Sequence, residues 1–264
     1  AALGLAGAVM QGISRNPLAD PGILGVNAGA ALFVVVGIAW FDISGAQSFL
    51  WLGIAGAGVT AVFVYLIGSA GQGGATPLKL TLAGTATSVA VSAFIIAVVL
   101  PRNDIAGSVQ SWQVGGIGGA SFETILPAMP FALVGLTLSL ASARVLNALA
   151  LGEELATGLG QSVALGRVMA AAGAVILCGT ATALCGPIGF VGLVVPHLCR
   201  MIAGVDYKLV LPLSALAGAS MLGLSDVLGR VIARPNELDV GIVTAFVGAP
   251  FFIWTVRNHR MRGL

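Results

Sequence analysis

Charge is what this sequence has least of. Asp, Glu, Lys and Arg together make up 8% of its 264 residues, against about 25% in ordinary soluble domains. A chain this poor in charge cannot clothe a water-facing surface of its size, which excludes a soluble globular domain. The net charge is only +2 and no basic run is present, so nothing points to nucleic acid as a partner. Histidine is reduced to His197 and His259, and cysteine to Cys178, Cys185 and Cys199. None of these falls into metal-ligand spacing. Cys178 and Cys185 lie on one predicted helix, about 10 Å apart along its axis, too far for a disulfide. The P-loop lysine motif, H-E-x-x-H and G-x-S-x-G are all missing, so the chain has no visible means of hydrolysing ATP itself.

What fills the space is apolar. Hydrophobic residues make up 58% of the chain and its mean hydropathy is +1.03, which makes the lipid bilayer its solvent. Most of the 38 glycines lie inside apolar runs, as close helix packing in membranes requires. A spanning helix needs about 20 apolar residues. The predicted spans are 23–41, 49–69, 79–100, 122–143, 165–184, 186–203, 209–232 and 240–256, with a shortened one at 1–13. This is an all-α polytopic membrane protein with about eight full spans and a truncated one, in a single transmembrane domain over 1–264. The opening AALGLAGAVM has no charged n-region and is not a signal peptide. The expectation is that the chain enters part-way through a span, with one or more spans before it.

Positive charge orients the spans. One set of loops and span ends carries Arg15, Lys79, Arg144, Arg167, Arg200, Lys208, Arg257, Arg260 and Arg262; the other carries Arg102, Arg230 and Arg234. The richer set is predicted to face the cytoplasm, and the C-terminus with it. The stretch LALGEELATGLGQ, Leu149 to Gln161, falls on that side. It is a small acidic helix in a chain that otherwise avoids charge.

Three connections stand out. Asn16 before Pro17 reads as a helix cap, and Asp20 before Pro21 repeats the pattern. Both predict a short ordered element at the cytoplasmic face. Cys185-Gly186-Pro187 joins two long spans with almost no loop. The outer loop 101–121, with Trp112 and a glycine cluster, predicts a short re-entrant or interfacial helix. The span parity of 1–100 and 165–256 permits an inverted repeat.

Ionisable residues within spans are functional candidates. Asp226 has Arg230 one helical turn away, as a local ion pair would. Uncharged polar residues are more numerous: Gln11, Asn27, Thr81, Thr85, Thr87, Ser88 and Ser92. Residues 81, 85, 88 and 92 follow helical spacing and would either line a wet pathway or join helices by hydrogen bonds. Arg230 and Arg234 lie on the charge-poor side within or beside RPNELD. They are either interfacial arginines or a docking point for an acidic partner.

Three stretches resemble one family. GAVMQGISRNPLADPGILGVNAGA (7–30), CGPIGFVGLVVPHLCRMI (185–202) and ELDVGIVTAFVGAPFFIWTV (237–256) are similar to motifs of the FecCD-type permeases. These are membrane subunits of bacterial ABC importers for iron–siderophore complexes, haem and cobalamin, and include the vitamin B12 importer permease. The resemblance implies a ten-span type II importer fold. It implies a second permease subunit, identical or paralogous. Two ATP-binding subunits would carry the ATP and Mg, and a periplasmic or lipoprotein binding protein would deliver substrate. This chain would be a transport subunit, not an enzyme, and would bind no cofactor itself. Ferric siderophore is the expected substrate, with cobalamin or haem as alternatives.

Site residues follow from the resemblance. Residues 150–162 would form the coupling helix region that fits a groove on the ATPase. Leu151, Gly152, Ala156, Leu159 and Gly160 would form its compact surface, and Glu153 and Glu154 its polar contacts. Asn16, Pro17 and Leu18 would narrow the pathway at the cytoplasmic side, with Thr85 and Ser88 facing that pathway. Arg230, and less centrally Arg234, would meet acidic knobs on the binding protein. An ion-coupled secondary transporter would rest on Asp226. An intramembrane enzyme would rest on His197 and the cysteines, for which the sequence offers no partners.

Overall fold

The computed structural model describes residues 1–258 apart from 23, 44, 71–75, 119–120, 159 and 161. Among them every regular element is a helix. The helices are α1 (Ala2–Ser14), α2 (Val26–Phe41), α3 (Ala46–Ser69), α4 (Pro77–Val99), α5 (Asn103–Val114), α6 (Phe122–Ile125) and α7 (Met129–Ala141). They continue with α8 (Ala143–Ala150), α9 (Glu153–Gly158), α10 (Val163–Cys185), α11 (Val191–Ala203), α12 (Tyr207–Ile232) and α13 (Val240–Asn258).

Five segments are long and apolar enough to cross a membrane: Gln47–Ser69, Leu78–Val99, Phe122–Ala141, Val163–Cys185 and Tyr207–Ile232. Four shorter apolar helices, Ala2–Ser14, Val26–Phe41, Val191–Ala203 and Val240–Ile253, stand where the other predicted spans were placed. The helix predicted in the loop 101–121 is α5.

The first of these, α1, is the centre of the bundle. Every residue of α1 from Leu3 to Gly12 is buried, between α10, α11 and α12. Backbone contact makes that possible. A methyl group on Gly7 would stand 2.0 Å from the Gly192 carbonyl oxygen, and one on Gly29 of α2 would stand 2.6 Å from that of Gly56 in α3. Neither space holds a side chain, which accounts for glycine within these apolar runs.

Two predicted boundaries move. The span predicted over 186–203 begins as helix only at Val191, after the irregular stretch 186–190. Gly186 and Phe190 both take positive φ there, 72° and 68°. The span predicted over 23–41 begins at Val26. Its 16 residues cover only about 24 Å, short of the hydrocarbon thickness of roughly 30 Å. The missing depth is filled by the chain before it.

Residues 15–25 are not confined to one surface. Asn16 does not cap a helix; its Oδ1 accepts from the Leu18 N–H at 3.0 Å, forming a turn. Asp20 repeats this, accepting from Gly22 N–H at 2.8 Å. The chain then travels inward. Asp20 Oδ1 would be 2.5 Å from a methyl on Gly192 in the first turn of α11, and Gly25 lies against Gly84 and Ser88 in the middle of α4. Irregular backbone survives at this depth because Ala19, Pro21 and Gly25 are buried against protein. A carboxylate beside a helix N-terminus is also placed where the helix dipole favours it.

Candidate functional site

The predicted coupling segment projects from one end of the bundle. That end holds the last turn of α1, α8 and the start of α12: a methyl on Gly12 would touch Leu146 and Tyr207, each at 3.0 Å. The chain leaves α8 through Leu151 and enters α9 through Gly152, whose φ of 113° only glycine adopts readily. Ala156 is buried under α9, while Glu154 is exposed. Leu151, Leu155 and Leu165 are each 61% exposed. Glu153 is paired to Arg167, the fifth residue of α10, so it braces α9 against its own chain. Gly160 turns the chain away with φ 75°. Leu159 lies outside the described residues. Between α9 and α10 an open groove is lined by Glu153, Thr157, Leu165 and Arg167.

The predicted gate residues form the tip of the turn after α1. Pro17 and Leu18 are exposed and Asn16 is half-buried. Thr85 is exposed, and its hydroxyl donates to Thr81 O in its own helix at 2.8 Å. Ser88 faces inward to Gly25, and its Oγ is buried with no hydrogen-bond partner among the described residues. Thr85 and Ser88 therefore do not share one surface.

At the opposite end, Arg230 is held in place. Its Nε lies 2.9 Å from Asp226 Oδ2 and a terminal nitrogen lies 3.6 Å from Glu237 Oε1. Its side chain remains 45% exposed. Arg234 is exposed on the connection to α13. The sequence spacing of Asp226 and Arg230 thus predicted the pair correctly. Asp226, on which an ion-coupled reading would rest, is the partner of Arg230.

Two polar ties were not legible. Gln11 is 2% exposed. Its amide donates to Gly192 O at 3.1 Å and accepts from the Arg200 guanidinium, Nη1 at 2.7 Å. Arg200, read as a surface charge, thus turns inward and fastens α1 to α11. Asn27 Oδ1 accepts from Cys178 at 2.7 Å and from Thr182 at 3.1 Å, fastening α2 to α10. A spacing rule does not find such pairs, since 189 residues separate Gln11 from Arg200.

Apolar helices of spanning length packed into one bundle define a polytopic membrane protein. The chain belongs to the FecCD transport family, whose sequence profile matches residues 1–258. It is 43% identical over 263 residues to the ferric enterobactin transport system permease protein FepD of Escherichia coli strain K12, covering 99% of this chain and 78% of that one. It is 43% identical over 260 residues to the Fe(3+)-citrate import system permease protein YfmD of Bacillus subtilis strain 168, covering 98% and 77%. A solved structure of an ABC transporter assigned to the metal-chelate type, in an inward-facing conformation, matches with a TM-score of 0.86 at 30% identity. That match covers 97% of this chain and 83% of the other. The family is one of transport permeases, so the chain is a transport component of a membrane system.

Proposed function

We propose that this chain is the permease subunit of an ATP-driven importer that carries a ferric siderophore across the bacterial cell membrane. The observation that carries the reading is the family match over residues 1–258, with relatives named for ferric enterobactin and Fe(3+)-citrate at 43% identity. The nine apolar helices read as eight full crossings and a part of a ninth, belonging to a ten-span fold. The excess of Arg and Lys at the α8–α9 end supports a cytoplasmic position for that end and for the C-terminus.

On this reading the substrate passes between this chain and a second permease chain. Two ATPase subunits holding ATP and Mg press on the segment 150–162, where Leu151 and Leu155 offer apolar contact and Gly152 and Gly160 set the turns. Glu153 braces the segment against α10 through Arg167, and Glu154 is the outward polar contact. The turn Asn16–Leu18 narrows the inner mouth of the pathway. Ser88 supports that turn's inward limb at Gly25, and Thr85 is the α4 group on the exposed face. Arg230, with Arg234 beside it, meets acidic groups of the binding protein. ATP chemistry belongs to the partner.

The test is uptake by proteoliposomes containing this chain, its ATPase and its binding protein. Ferric enterobactin, ferric citrate, a ferric hydroxamate, cobalamin and haem are offered in parallel. ATP-dependent accumulation of one ferric chelate is expected. Accumulation of cobalamin or haem alone would redirect the substrate, and uphill uptake without the ATPase would overturn the reading.

A further inference from the structure

Asn147, in the middle of α8, reaches across to the start of α12. Its Nδ2 donates to Asp206 Oδ1 at 2.6 Å, and its Oδ1 accepts from the Tyr207 N–H at 2.8 Å. Asp206 Oδ1 also accepts from the Lys208 N–H at 2.9 Å, capping the helix. The two side chains therefore satisfy two of the N–H groups that a helix start leaves open. The Asn147 amide also holds the Asp206 carboxyl below its ordinary range, with the Lys208 N–H adding to it. An amide tip carries a donor and an acceptor side by side, so Asn147 grips two consecutive residues at once.

The grip lies where three parts of the chain meet. Leu146, beside it in α8, packs with Tyr207 against Gly12, two residues before the end of α1 and four before Asn16. From Tyr207 the chain runs as one helix to Ile232, with Pro212 in its second turn. Its 26 residues cover about 39 Å and bring Arg230 to the far end. On the other side α8 leads through Leu151 and Gly152 directly into α9.

The geometry points to Asn147 as a positioning residue for transport: it passes displacement of the α8–α9 segment to α12, and so to the Asn16–Leu18 turn and the Arg230 end. This rests on the coupling role proposed above for α9. Without the amide, α8 would slide against the start of α12 and the helix would no longer follow the segment.

The experiment uses the complete complex of this chain, its ATPase and its binding protein in proteoliposomes, with the ferric chelate that the uptake assay selects. ATP hydrolysis is measured with and without loaded binding protein, together with chelate carried per ATP. For Asn147→Ala the ATPase should still co-purify and basal hydrolysis should stay near wild type. Stimulation by the binding protein, and chelate per ATP, should each fall about tenfold, in the ordinary range of coupling between sites. Asn147→Asp should do the same, because two carboxylates then face each other. Asp206→Asn alone keeps the oxygen that accepts from Asn147 Nδ2 and from the Lys208 N–H, so every hydrogen bond persists and coupling should stay near wild type. Asn147 variants that stay stimulated, loss of the ATPase from the complex, or an Asp206→Asn variant that is uncoupled would each overturn the inference. A wild-type complex without stimulation would instead refute the importer reading itself, and needs no variant to be seen.

Discussion

At one end of the bundle Leu151, Leu155 and Leu165 stand in the open around a helix of six residues; at the other, Arg230 is already held by Asp226 and Glu237. The first surface is incomplete by itself. A six-residue helix cannot sustain itself on its own hydrogen bonds, and only Ala156 of α9 is buried in the chain. Exposed leucines beside a braced turn gain most from a partner that removes them from water. The second surface is satisfied already. A partner there must compete with two acids, and such half-exposed pairs are worth about 1 kcal/mol or less. One end is therefore suited to a permanent subunit, and the other to a partner that comes and goes.

The strongest way to break this contrast is to spoil the incomplete surface. Leu155→Asp should weaken association with the ATPase by about 30-fold or more, the effect of losing an interface anchor, as read by co-purification. Gly152→Pro should match it by another route, since proline cannot take φ 113°. Arg230→Glu should weaken binding-protein docking about tenfold without releasing the ATPase. Measured by surface-immobilised binding, that loss should shrink as salt rises. Glu237→Gln tests the contrast with the opposite sign. Removing an internal competitor should tighten docking about twofold to threefold; weaker docking would mean Glu237 orients Arg230 instead. Arg167→Gln should have the smallest effect. Its pair with Glu153 is partly open to solvent, with 34% and 57% of the two side chains exposed. Transport should drop by about twofold at most.

Much of the architecture was legible because apolar runs are local. Each predicted span has an apolar helix in its place, and the spacing of Asp226 and Arg230 foretold their pair. The acidic stretch Leu149–Gln161 showed itself because charge is scarce elsewhere, and Glu153–Gly158 within it is helical. The misread parts are those where a local signal has two tertiary outcomes. Asn-Pro and Asp-Pro are equally good helix caps and turns. At Asn16 and Asp20 the chain turns, because it must travel back into the bundle to start α2. Polar positions on α4 were given one common face, yet Ser88 meets Gly25 while Thr85 points outward.

Composition alone settled the solvent. With 8% charged residues and 58% hydrophobic ones, the chain folds in lipid, and its helices follow from the need to satisfy every backbone group there. Fold class follows from apolar runs of about 20 residues, and the expected orientation from the few charges between them. Depth and pairing across the bundle do not. That α1 lies at the centre, that α2 and α11 begin inside, and that Gln11 meets Arg200 and Asn147 meets Asp206, depends on where glycines let backbones touch. Each of these contacts joins residues far apart in the chain, and only packing in three dimensions decides which of many equivalent small and polar residues become neighbours.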